Sequence, residues 1–135
     1  SVYYEPEVIS VEGILEKHTF PGRPNYADIA EGDEPERGLY VRLDEVIKQV
    51  MPNPKETYSW EAENDIAVMQ LSVDSKQYWS FKEGDHVRLT GSLYQGHNGH
   101  HHTRVLMSVD KVEVLARAQG QVSSVPEELR EGLLE

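Results

Sequence analysis

Val87-Arg88-Leu89-Thr90-Gly91-Ser92-Leu93-Tyr94 sets apolar and polar residues in strict alternation. Successive side chains of a β-strand point to opposite faces, so Val87, Leu89, Gly91 and Leu93 share one buried face. After Gln95-Gly96-His97-Asn98-Gly99-His100-His101-His102-Thr103 the rhythm resumes at Val105, Met107 and Val109. Asn98-Gly99 is a turn signal, so the two runs read as a hairpin. The apolar parity changes at Val112 and Val114, which predicts a bulge near Asp110-Lys111. A two-residue loop would pair His97 with His100 and Leu93 with Arg104, setting polar residues beside core residues. An odd-numbered loop, or a bulge, pairs His97 with His101 and Leu93 with Val105. This second register joins the apolar faces and is the one expected. It places His97 and His101 on one face, and His100 and His102 on the other.

Towards the N-terminus the same period of two recurs in Ile9, Val11, Gly13 and Leu15, in Leu39, Val41 and Leu43, and in Ala67, Met69, Leu71 and Val73. Between the first two runs lies a loop from about Thr19 to Arg37, dense in proline and glycine. Val46, Ile47, Val50 and Met51 have helical spacing, which predicts a short turn ended by Pro52 and Pro54. Residues 52–64 read as an exposed insertion, and Tyr78, Trp79 and Phe81 as an aromatic plug. Five short strands with internal glycines predict a mostly β protein, a small five-stranded OB-like barrel with long loops; a β-sandwich is the alternative. Residues 1–118 form this domain. Residues 119–135 read as a polar tail with a short C-terminal helix, capped by Ser124 and carrying Glu127 and Glu128 in its first turn.

At 135 residues the chain is long enough for one core without metal or disulfide. The formal net charge is −11, with no cluster of Lys and Arg. Binding to a polyanion gains from cations on phosphates, so the expectation is no nucleic-acid partner. A mean hydropathy of −0.60 and the lack of a long apolar run predict no membrane insertion. The absence of cysteine removes disulfides, thiol catalysis and Cys-type zinc sites. No nucleophile elbow, phosphate loop, dinucleotide fingerprint or zincin helix is present, so the chain reads as a binding protein more readily than as an enzyme.

Two segments hold the candidate site residues. In the hairpin, two imidazoles on one face (His97 and His101), joined by His18 or a carboxylate, could hold zinc. The plainer reading is an exposed polar loop whose histidines bond backbone. Clustered histidines also suit a pH sensor. In the first loop, Phe20 and Tyr26 either anchor a partner or pin the loop to its own domain. Asp33, Glu34 and Glu36 lack calcium-loop spacing and read as a solvated acidic turn. The candidate binding residues are His18, Phe20, Asn25, Tyr26, His97, His100, His101, His102 and Arg104.

His18 to Tyr26 (with Thr19-Phe20-Pro21-Gly22-Arg23-Pro24-Asn25-Tyr26), Gly32-Asp33-Glu34-Pro35-Glu36, Gly84 to Leu93, and Gly99-His100-His101-His102-Thr103 with Val105-Leu106, taken in this order, resemble a bacterial family of domains of unknown function, typically exported. The resemblance spans residues 8–115. The chain departs from the family pattern at Arg104, where proline is usual, and over Val46 to Met51, where a cysteine is usual. The resemblance implies an OB-like barrel and a periplasmic or secreted location; the start at Ser1 without methionine fits a removed export signal. Taken together, the expected role is a non-catalytic binding module of the envelope with a protein partner. The alternative is a metal-binding protein or metal-dependent hydrolase centred on the hairpin.

Overall fold

The computed structural model describes residues 1–118. The five alternating segments become β2 (Val8–Pro21), β3 (Pro35–Met51), β4 (Glu63–Ser72), β5 (His86–Gln95) and β6 (Val105–Ala116). A two-residue strand, β1 (Val2–Tyr3), adds to β3 in parallel at Val2↔Val50. The order is β1-β3-β2-β5-β6-β4, and β4 pairs back onto β3, so five strands close a ring. Closure uses an antiparallel β3–β4 pair and a parallel β4–β6 pair at Leu71↔Met107. The protein is mostly β, as the alternation predicts, and the ring is the five-membered one of the OB-like expectation. The short C-terminal helix expected near Ser124 lies outside the described residues.

The inward faces supply the core: Leu15, Leu39, Val41, Leu43, Met69, Leu71, Val87, Leu89, Leu93, Val105 and Met107 are all buried. The hairpin register has the expected parity but slides by two residues. Leu93 faces Met107, and Gly91 faces Val109. Even slippage keeps every apolar side chain on its face, so pattern alone cannot distinguish the two registers. The bulge falls at Asp110, because Gly91 pairs with Val109 while Thr90 pairs with Lys111. At Gly91 a Cβ would run into the Ser108 carbonyl, so only glycine permits this approach of β5 and β6.

Three local expectations are corrected. Val46 to Met51 is strand, not a helical turn: β3 runs unbroken to Met51, with a register shift between Arg42 and Ile47. That shift lets Ile66, rather than Ala67, enter the core. Residues 52–62 are exposed along most of their length, as expected, but they are pinned to the domain as a strap. Tyr58 stacks on Trp60 at 3.9 Å, Trp60 meets the buried Tyr4 ring edge-on at 5.4 Å, and Asn53 Nδ2 donates to the Tyr4 carbonyl (3.3 Å). The aromatic run after β4 forms α1 (Ser75–Ser80), opened by a capping box between Asp74 and Gln77. Tyr78 and Phe81 pack on the core, but Trp79 is 66% exposed and plugs nothing.

Candidate functional site

The 22–34 loop leaves the end of β2, and the 96–104 hairpin leaves the end of β5. Ring closure brings both to one end of the molecule. The first loop is built around Asp33, a buried carboxylate. Its oxygens accept the backbone N–H groups of Asn25 (2.9 Å), Ala27 (2.8 Å) and Asp28 (2.9 Å). Those bonds, led by that from Asp28, outweigh burial and hold the carboxyl below its usual range. Asp33 is therefore a loop organiser, not part of a solvated acidic turn. A short 3-10 turn, Ile29–Glu31, is capped by Asp28. Tyr26 sits in the left-handed region (φ 55°), fixed by its N–H to the Gly22 carbonyl (2.7 Å).

The hairpin is held from below by Gln70 of β4. Its side chain accepts from His102 N–H (2.6 Å) and donates to the His100 carbonyl (2.9 Å), while its backbone N–H donates to Thr103 Oγ1 (3.0 Å). Within the hairpin, His97 N–H donates to His101 Nδ1 (2.9 Å), and His97 Nδ1 donates to the Gln95 carbonyl (2.9 Å).

Glu36, near the start of β3, joins the two loops. Its Oε1 accepts from His102 Nε2 (3.0 Å), and its Oε2 is in close contact with His100 Nδ1. Burial pushes the Glu36 carboxyl up, but hydrogen bonds from His102 and His100, aided by their charge, hold it below the usual range. Phe20 stacks on the His102 ring at 4.1 Å and 12°. Tyr26 meets His100 edge-on at 5.5 Å. Beneath them Tyr40 is only 2% exposed although its strand position points outward, because His18 and Phe20 cover it. Its hydroxyl has no hydrogen-bond partner among the described residues. Burial, with the Glu36 charge second, pushes that phenol above its usual range.

Of the candidate residues, Phe20, Tyr26, His100 and His102 thus meet around Glu36. His18 lies at the margin, bonded to Glu16 Oε1 (3.0 Å). Asn25 contributes its backbone to the Asp33 cage. Arg104 turns away to Glu63 (3.0 Å). His97 and His101 touch each other, ring centroids 4.7 Å apart. His101 Nδ1 is engaged as an acceptor, so its neutral ring carries the proton on Nε2, and that ring offers a metal no nitrogen unless the bond breaks. No described carboxylate or further histidine completes a three-donor group with this pair. Burial first, and the charge of His97 second, lowers the His101 pKa.

From the sequence, Glu36 reads as part of a solvated acidic turn, and nothing points to Gln70. Glu36 sits in an acidic run, and Gln70 occupies an outward strand position with nothing to mark it. A cavity of ≈ 200 Å³ opens between β3, β4 and the hairpin, lined by Arg37, Gln70, Tyr94, His100 and His101 among others. Sites for whole small-molecule ligands usually measure some 300–1,000 Å³, so this one suits a single protruding side chain.

Fold and loops together define a small closed β-ring that displays two interlocked loops at one end. Residues 68–113 match a family described as Domain of unknown function (DUF4431), in line with the expected relationship to a family of unassigned function. The match takes in the second half of β4, α1, β5, the histidine hairpin and most of β6, and does not reach the 22–34 loop. No curated protein matches the chain. Among the described residues no helix is long and apolar enough to cross a membrane.

Proposed function

We propose that this chain is a non-catalytic binding module of the bacterial envelope, and that it holds a protein partner on the joint surface of the 22–34 loop and the 96–104 hairpin. The observation that carries this reading is the junction at His100, where Tyr26 of the first loop meets the hairpin edge-on and Glu36, at the start of β3, binds His100 and His102 across more than 60 residues of sequence. Tyr26 and His100 stand outward there, 39% and 55% exposed. OB-like rings bind oligonucleotides and oligosaccharides through the loops after their first and fourth ring strands, and these two loops hold the same place. The net charge of −11 disfavours nucleic acid. Periplasmic or secreted location rests on the family resemblance, and fractionation of the host tests it.

The surface is tested by cross-linking in the native host, comparing the parent chain with Tyr26→Ala and His100→Ala variants of unchanged melting temperature. The expected result is one cross-linked protein species that both substitutions abolish. A partner captured equally by all three chains would refute the loop surface.

The second reading, metal held by His97 and His101, draws on the contact of those two rings. It requires the His97 N–H bond to His101 Nδ1 to open and a donor from outside the described residues. Calorimetry with zinc on untagged protein, repeated with His97→Ala, decides it: no heat, or heat unchanged by the substitution, eliminates this site.

A further inference from the structure

A second cluster lies on the outer face of the ring, away from the loops. Glu12 of β2, Asp44 of β3 and His86 of β5 come from three adjacent strands. Gly13 pairs with Leu43 and Ile14 with His86, so the three side chains fall on the same outward face. His86 Nε2 lies 2.6 Å from Asp44 Oδ2, and one donor atom from each of the three residues lies within 4.8 Å of the others. Both Glu12 and Glu36 are on strands that run the length of the ring; eight residues of strand separate Glu12 from Phe20, or about 26 Å at ~3.3 Å per residue. The two places are therefore separate.

We propose that Glu12, Asp44 and His86 bind one divalent transition-metal ion. One imidazole and two carboxylates are a donor set that both borderline Zn²⁺ and the harder Mn²⁺ accept, and no thiolate competes in a chain without cysteine. Ligand bonds of about 2.0–2.2 Å put neighbouring donors roughly 3–3.5 Å apart, so the cluster closes on an ion by side-chain rotation alone. Glu12 and His86 stand on the β2–β5 ladder, which holds two of the three donors in place, while Asp44 lies in the irregular stretch of β3 between Arg42 and Ile47 and supplies the adjustment.

The local charges fit an exchange of cations. Arg88 now bridges Glu12 (2.8 Å) and Glu113 (3.6 Å). An incoming ion displaces the guanidinium from Glu12, and Glu113 retains it, so no buried charge is stranded. Glu12 and Asp44 also line a cleft of ≈ 570 Å³ together with Val11, Val46, Lys48 and Arg88. Three protein donors leave coordination positions open, and water or an anionic ligand group would complete the shell.

Isothermal titration of the untagged full chain with Zn²⁺, and separately with Mn²⁺, tests the site. The expected result is saturable binding of one ion, a raised Tm in its presence, and at least tenfold weaker binding in His86→Ala and in Asp44→Asn, each of which folds normally without metal. Arg88→Gln, which removes the competing cation, tightens binding, and the His97→Ala/His101→Ala double variant leaves it unchanged. Absence of saturable binding by the parent chain overturns the proposal. So does binding that survives His86→Ala but is lost in the hairpin double variant, or that Arg88→Gln weakens as much as His86→Ala does.

Discussion

At the scale of single residues, two carboxylates organise the loop end, and neither behaves as a surface acid. Glu36 accepts from two imidazoles at once. Glu36→Gln keeps the shape but turns two charge-assisted bonds into weaker neutral ones, at an expected cost of about 1–2 kcal/mol. Thermal unfolding reads that cost, and faster amide exchange in residues 97–103 locates it. Asp33 makes a pH prediction. Its carboxyl is depressed in the folded protein by backbone donors, so its stabilisation is complete above the unfolded carboxyl range, about pH 4, and disappears as pH falls through the lower folded value. Amide protection in the 22–34 loop should fade in that acid window while protection in the ring persists. Asp33→Asn should remove the acid step and leave the loop less protected at neutral pH. If loop and ring lose protection together at every pH, Asp33 does not hold the loop.

At the scale of elements, pairing overrides local preference. Val46 to Met51 carries helical spacing, yet β3 continues through it because β1 and β4 both offer it ladder partners, at Val2↔Val50 and Gln49↔Asn64. The β5–β6 hairpin shows what alternation can and cannot specify. Parity and the bulge at Asp110 follow from the apolar pattern, but the two-residue slide does not, since it leaves all core faces intact. What sets the slide is the long 96–104 loop, closed by Gly96 N–H to the Arg104 carbonyl (2.9 Å) and braced by Gln70. Gly91→Ala tests this register. The added methyl meets the Ser108 carbonyl, so the strands must part, and the expected loss is about 1–3 kcal/mol by chemical denaturation. A neutral outcome would mean that β5 and β6 lie farther apart at the bulge.

At the scale of the whole molecule, ring closure makes the core common property. Leu93 and Met69 come from opposite sides of the ring and are fully buried in the same cluster. Leu93→Ala should cost about 2–5 kcal/mol through lost transfer energy and a cavity. Because the ring unfolds as one unit, the urea midpoint falls with the slope unchanged, and fluorescence and circular dichroism follow the same curve. Divergent curves would show that the ring opens in parts. The 52–62 strap belongs at this scale as well. Tyr58 and Trp60 lie in a polar run, and only the approach of Tyr4 from the N-terminus explains why they are covered.

The sequence by itself determined the class of architecture: five strands, the buried face of most of them and the bulge near Asp110. These depend on the order of apolar and polar residues along the chain, and that order is local. Only the tertiary structure decided that Glu36 joins His100 to His102, that Tyr40 is covered, that Gln70 braces the hairpin, and that Glu12, Asp44 and His86 meet across three strands. Each of these depends on which strands become neighbours and in what register. That choice is made by packing and ladder hydrogen bonds between segments far apart in the chain, and no short stretch of residues contains it.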